Sequence, residues 1–274
     1  MVITIILILL SASPGVVIID NVLFYGSDHR MRILNTGDMI DILEYGIERM
    51  TVQFDSTTGE LDKNVLIDFS NEVAEDEQFV FARGYFDEGE YDKAARLLEI
   101  FIRHFDNSNY LAEALYYLGQ SYEALATKGD HDSLAVFSMN TQLKQRYYNG
   151  DTYRLLLQEF PENPFAAKAQ YRLINIFRIG NLPWKDSVEL IEEELTMWAD
   201  FCARYQLTEE YVLGLSETGY LNRILYEITD EPAYREAAVS KFKEITLEYP
   251  NTIHAAYAKV HLFELQNNEK IYKY

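Results

Sequence analysis

The sequence has little of several things that functional sites are made from. Cys202 is its only cysteine, which excludes an intramolecular disulfide and a clustered thiolate metal site. The thiol sits in an aromatic-rich helical pattern, Trp198 to Tyr205, and that setting predicts a buried, unreactive side chain. Positive charge is also scarce, with 24 Lys and Arg against 44 Asp and Glu and a formal net charge of -20. Phosphate neutralisation needs clustered Lys and Arg, so a dedicated nucleic-acid binder is excluded. The same acidity opposes adsorption to an anionic membrane surface. Its plain meaning is solubility and self-repulsion.

Catalytic signatures are missing too. There is no HExxH, no GxSxG, no phosphate-binding glycine loop and no CxxC. Gly214-Leu-Ser216-Glu-Thr-Gly219 has the wrong spacing for a nucleophile elbow and falls in a helical pattern. His29, His104, His131, His254 and His261 are scattered, and no carboxylate at ligand spacing completes a metal site around them. Glu192, Glu193 and Glu194 are consecutive; helical neighbours point in different directions, so they predict a solvated face rather than a carboxylate pair. No catalytic residue, metal or cofactor is expected.

Long apolar runs are confined to the N-terminus, where Val2 to Leu10 precede small residues and a Pro-Gly break. The run is too short to cross a bilayer as a helix but matches the apolar region of a signal peptide. A signal peptide over residues 1–15, cut after Gly15, implies export and a mature form without a membrane span. The segment before Val2 carries no Lys or Arg, so a buried strand and a cytoplasmic protein are the alternative.

From Val16 to Phe69 the pattern is β-like. Val16–Asp20, Met31–Leu34, Met39–Leu43, Met50–Phe54 and Asn64–Phe69 are short β-branched or aromatic runs, separated by turn signals such as Asn35-Thr-Gly37 and Ser56-Thr-Thr-Gly59. Five strands in so short a segment predict a small barrel over residues 16–70. Its string LNTGDMIDILEYGIERMTVQF resembles an SH3-type barrel.

Beyond residue 70 the signals are helical. Capping side chains before proline at Asn163-Pro164 and Asp230-Glu-Pro232, and stops at Gly129, Gly150 and Gly180, predict helices near 72–87, 90–105, 109–126, 131–147, 151–160, 164–179, 183–204, 208–229, 233–249 and 252–270. FDNSNYLAEALYYL (105–118), FPENPFAAKAQYRL (160–173) and YPNTIHAAYAKVHL (249–262) superimpose without a gap. Ala94, Asn149 and Ala238 anchor the copies. Leu98, Tyr153 and Phe242, then Phe101, Leu156 and Ile245, then Phe105, Phe160 and Tyr249 follow at spacings of four, three and four, one buried helical face. Paired alanines come next: Ala112 and Ala114, Ala167 and Ala169, Ala256 and Ala258. A fourth, degenerate copy is expected at Ser187, with Trp184 before it.

Gly89-x-Tyr91-x-x-Ala94 and Leu118-Gly119-x-x-Tyr122 resemble tetratricopeptide repeats. With its aromatic link and alanines, the variant is similar to that of bacterial envelope proteins: the BamD-type outer-membrane assembly lipoproteins and the YbgF/CpoB-type coordinators of the Tol-Pal system. The chain lacks the lipid-bearing cysteine of the first and the coiled coil of the second. The resemblance implies a mainly α fold, a TPR-like helix-hairpin solenoid over residues 71–274 behind the SH3-like barrel. It also implies a non-catalytic scaffold for a protein or peptide partner. By resemblance the concave, partner-binding face carries Tyr116, Gln120 and Glu123 in one copy and Tyr171, Asn175 and Arg178 in the next. A barrel that binds peptidoglycan, displayed on the repeats, is an alternative; a cytoplasmic adaptor is another.

Overall fold

The computed structural model describes residues 12–128, 135–183 and 187–271. The chain divides into two compact units, Met1–Leu125 and Ala126–Tyr274.

In the first unit, β1 (Ser13–Val17), β2 (Val22–Tyr25), β3 (Met31–Leu34), β4 (Met39–Tyr45), β5 (Arg49–Phe54), β6 (Thr57–Asp62) and β7 (Leu66–Asp68) precede any α-helix. Alternation sets their faces: Ile40 and Ile42 of β4 and Met50 and Val52 of β5 are buried, while the residues between them are not. The strands form an antiparallel sheet in the order β6-β5-β4-β1-β7, and β2 pairs with β3 alone. That hairpin turns Phe24 and Leu34 into a core with Val17, Ile40, Ile42, Val52 and Leu61. Each large apolar side chain so buried contributes about 1.5–3 kcal/mol.

Three expectations for this segment change. The sheet edges β6 and β7 do not pair with each other, so hydrogen bonding does not close the SH3-like barrel expected over residues 16–70. Two strands, β2 and β6, were not expected. The run Val2–Leu10 lies outside the described residues, but Ser13, Pro14 and Gly15 are paired with Ile42, Asp41 and Ile40. A boundary or a cut after Gly15 therefore falls inside a strand.

The unit is completed by α1 (Ala74–Asp87), α2 (Tyr91–His104) and α3 (Leu111–Lys128), the last of which runs on past its end. Tyr85 Oη donates to the Ile18 carbonyl at 2.6 Å, Lys93 pairs with Asp20 at 3.0 Å, and the Phe69 ring meets Phe105 edge-on at 5.4 Å. The compositional change near residue 70 coincides with the change from strands to helices, and both lie within the compact unit that ends at Leu125.

The second unit opens with a correction. Residues expected as a helix over 131–147 form a hairpin, β8 (Phe137–Asn140) and β9 (Gln145–Tyr148), while 131–134 lie outside the described residues. Asn140 organises it. Its Oδ1 accepts from the Gln142 and Leu143 amides, closing the turn, and its Nδ2 donates to the carbonyls of Ile179, Gly180 and Leu182 at the end of α5 (Phe165–Gly180). Helix C-termini leave unsatisfied carbonyls, and this side chain supplies the missing donor.

Around α5 lie α4 (Asp151–Glu159), α6 (Val188–Arg204), α7 (Tyr211–Thr229), α8 (Pro232–Glu248) and α9 (Ile253–Gln266). The helices from α4 to α9 pack in sequence order. Most of the repeat face expected from sequence is buried: Ala94, Leu98, Phe101, Tyr153, Leu156, Ala238, Phe242 and Ile245 are all 0% exposed, while Asn149, Phe105, Phe160 and Tyr249 are half-buried.

The links between helices repeat bond for bond. Phe105, Phe160, Tyr205 and Tyr249 each cap a helix with the amide donating four residues back. Each cap carbonyl then accepts from Ser108, Asn163, Thr208 or Thr252, whose own carbonyls accept from Leu111, Ala166, Tyr211 and Ala255. Four copies of one helix-link-helix unit follow. The fourth is registered by Tyr205, with Glu194, Trp198 and Phe201 in the places of Ala94, Leu98 and Phe101. The expected anchor at Ser187 is two helical turns too early; Ser187 instead caps α6 by accepting from the Leu190 amide, and Trp184 lies outside the described residues.

Candidate interaction surface

The side chains expected on a concave face are found in two separate compact units. In the first, Tyr116 is buried at 9% exposure, and Gln120 and Glu123 are half-buried. In the second, Tyr171 packs on the core around Trp198, Asn175 is half-buried, and Arg178 is held by carboxylates.

That Arg178 site is internal architecture. Glu194, expected on a solvated face, is 0% exposed; its Oε1 accepts from Trp198 Nε1 at 3.0 Å and pairs with Arg178 Nη2 at 2.5 Å. Glu217 of α7 pairs with the same nitrogen. Burial opposes the guanidinium charge, but Glu194 and Glu217 outweigh it and push the Arg178 pKa above its ordinary value. Arg178 is therefore engaged by two carboxylates within the helix stack.

The network recurs one copy later. Arg223 holds the place of Arg178, counted from the caps Tyr205 and Phe160, and is 0% exposed. It bonds Glu227 at 3.0 Å, Glu264 of α9, the His261 ring at 2.7 Å and the Glu269 carbonyl at 3.0 Å. The His261 pKa is lowered, chiefly by burial and then by Arg223. Glu227 in turn accepts from the Ile271 amide at 3.0 Å, fixing the segment after α9 to α7. Cys202 is half-buried, and burial raises its thiol pKa.

Cavities add little chemistry. A trough of about 820 Å³ between two links is lined by Pro161, Asn163 and Leu207, with Glu162 and Arg204 as its only ionisable side chains apart from Tyr205. Among the described residues no group of three or more His, Cys, Asp or Glu side chains is placed to hold a metal ion. No helix among them is long and apolar enough to cross a membrane.

The outer face of α9 is different in kind. Ile253, Tyr257, Val260 and Phe263 are 66%, 57%, 53% and 61% exposed, at spacings of four, three and three that line one helical stripe. Ala256 lies exposed among them. The residues of α9 that face α8, Ala255, Ala258 and Leu265, are buried on the opposite side.

Register explains the stripe. In α5 the counterparts of Ala256 and Phe263 are Ala167 and Ile174, buried against Trp198 and Phe201 of α6. In α7 the counterpart of Phe263 is Gly219, where a Cβ would lie 2.7 Å from the Phe242 ring of α8. The same face of α5 and of α7 receives the hairpin that follows. On α9 nothing among the described residues covers it.

No protein-family profile matches this chain, and no curated protein matches it. The solved structure of a MamA RS-1 ArsTM double mutant aligns with 71% of this chain and 95% of its own, at 16% identity and a TM-score of 0.33. A superposition that loose supplies no residue correspondence, and none is taken from it.

The first unit has an apolar face of its own. Leu23 stands opposite Ile33 and Tyr25 opposite Met31 across the β2–β3 hairpin, and the four are 51%, 56%, 65% and 57% exposed. A sequence search could have found both faces. In the α9 case the signal was the third copy itself, where Phe263 fills a position that the other copies bury as Gly119, Ile174 and Gly219.

Proposed function

We propose that this chain is a non-catalytic scaffold that binds a protein partner, and that the outer face of α9 is a docking surface for a partner helix. The observation that carries the reading is the exposure of Ala256 and Phe263, whose α5 counterparts Ala167 and Ile174 are buried, beside the exposed Tyr257 and Val260. Contiguous exposed apolar surface on an otherwise acidic, soluble chain marks an interaction site. A groove-and-ridge helix contact is the mode its spacing suits. The β2–β3 face offers a second contact, and two linked weak sites raise the effective concentration of the second.

Export to the bacterial envelope is part of the same proposal, supported by the Val2–Leu10 run and by the resemblance of the repeats. Processing compatible with the sheet would leave Ser13 in place, so the mature N-terminus should lie at or before that residue. N-terminal sequencing that returns an intact Met1 would overturn export.

The docking claim is tested by a photo-crosslinking residue placed at Phe263 in the producing cell, with Leu207, fully exposed and far from the stripe in sequence, as the control position. Specific protein adducts at Phe263 and none at Leu207 are expected. Equal or absent adducts at the two positions would remove the claim.

A further inference from the structure

We infer that the occupant of the α9 face is the α1 helix of a second copy of this chain, giving head-to-tail association; this rests on the reading of α9 as a docking surface. Charge selects the partner. Two charged side chains border the stripe on α9: Glu264 is half-buried and engaged by Arg223, whereas Lys259 is exposed and makes no ion pair among the described residues. Two α9 faces meeting across a twofold axis would oppose Lys259 to Lys259. A stripe with an acidic border is the better match.

The chain carries such a stripe on α1. Val80 is 66% exposed, with Phe81 at 41% and Val73, just before the helix, at 46%. Glu77 and Glu88 lie on the same helical face, are exposed, and take part in no ion pair among the described residues. Between them sits Gly84. A Cβ built there would meet nothing within 4 Å. A glycine inside a helix costs roughly 1 kcal/mol relative to alanine, and no close packing among the described residues accounts for it. A notch on α1 opposite the large Tyr257 and Phe263 side chains does, because it lets the two helix axes approach.

The contact is heterologous, since each copy offers α1 to one neighbour and α9 to another. Two short helices make a small interface, so a dissociation constant on the order of 10–100 μM is expected.

Sedimentation of the purified chain over a concentration series tests this, with Val80→Asp breaking α1 and Val260→Asp breaking α9. Self-association of the parent chain, weakened about thirtyfold or more in each variant, is expected. Mixing the two variants should restore a one-to-one heterodimer that does not grow further, because one intact α1 and one intact α9 remain. Lys259→Glu and Glu77→Lys form a second pair, each weak alone and associating when mixed. A parent chain that stays monomeric at about ten times the upper dissociation constant, or variants that fail to complement, would overturn the inference. If the purified chain is monomeric while Phe263 still crosslinks another protein in the cell, self-association falls and the docking surface stands.

Discussion

Arg178 and Arg223 hold the same place in successive copies, counted from Phe160 and Tyr205, and each reaches into the second helix of the next copy. Arg178 meets Glu217 of α7, and Arg223 meets His261 and Glu264 of α9. Side chains that resemblance would assign to a ligand groove instead tie one copy to the next. The first of these ties also rests on Glu194, which stands where two other copies have Ala94 and Ala238.

Removing one partner of such a tie should be costly. Arg178→Met leaves Glu194 wholly buried with only the Trp198 indole to bond it, and the loss expected is about 3–5 kcal/mol. The double variant Arg178→Met with Glu194→Met replaces both charges by apolar volume and should recover most of that loss. Urea unfolding of the two proteins measures it; a single variant within about 1 kcal/mol of the parent would mean the pair contributes little.

The link between β5 and β6 can be improved. Asp55 and Ser56 both have positive φ, 47° and 63°, and Phe54 pairs directly with Thr57. A two-residue turn of this hand is the type I′ class, which favours Asn-Gly. Asp55→Asn with Ser56→Gly should stabilise the protein by about 0.5–1 kcal/mol, the left-handed backbone strain relieved less the extra freedom that glycine gives the unfolded chain. A lower thermal midpoint in the double variant would show that the side chains present make compensating contacts.

That turn also explains what the sequence concealed. With no glycine at either positive-φ position, the turn signal shifts to Gly59, which lies inside β6. A strand with Leu61 as its one large apolar side chain then reads as loop. The β8–β9 hairpin was hidden for a similar reason: Lys144 takes φ 53°, and Asn140 closes the turn through its side chain rather than through a Pro or Gly. The helix pairs were legible because each copy buries the same four-three-four face and repeats the same capping bonds. The fourth copy was misregistered at Ser187, although Trp198, Phe201 and Tyr205 stand at the spacing of Leu98, Phe101 and Phe105. A buried Glu194 in the alanine slot obscured it. Which groove positions are covered could not be read from one copy, since coverage depends on the hairpin that follows.

Two helical glycines, Gly84 of α1 and Gly219 of α7, should respond in opposite directions. At Gly219 a methyl group would meet the Phe242 ring at 2.7 Å, and overpacking a rigid core of this kind costs about 1–3 kcal/mol. Gly84 has open space around it, so Gly84→Ala should stabilise the isolated chain by about 0.5–1 kcal/mol through helix propensity. Thermal unfolding of the two variants at low protein concentration compares them, and equal shifts would contradict the packing described for α7 and α8.

Alkaline stability should depend on Tyr148. The ring is 1% exposed; burial pushes its pKa up to about 12, against the counteracting hydrogen bonds with Thr152. A raised folded pKa favours the neutral phenol, so this stabilisation is complete below about pH 10, the ordinary tyrosine value, and is lost as the pH rises towards 12. The shift corresponds to about 2–3 kcal/mol. Tyr148→Phe cannot ionise, but it deprives the Thr152 amide of its 2.6 Å acceptor at a cost of about 1 kcal/mol. The parent should therefore be the more stable protein at pH 7, and the difference should shrink and then reverse between pH 10 and 12. Other tyrosines titrate in both proteins and cancel in the comparison. A difference that stays constant across that range would show that Tyr148 is accessible to hydroxide without unfolding.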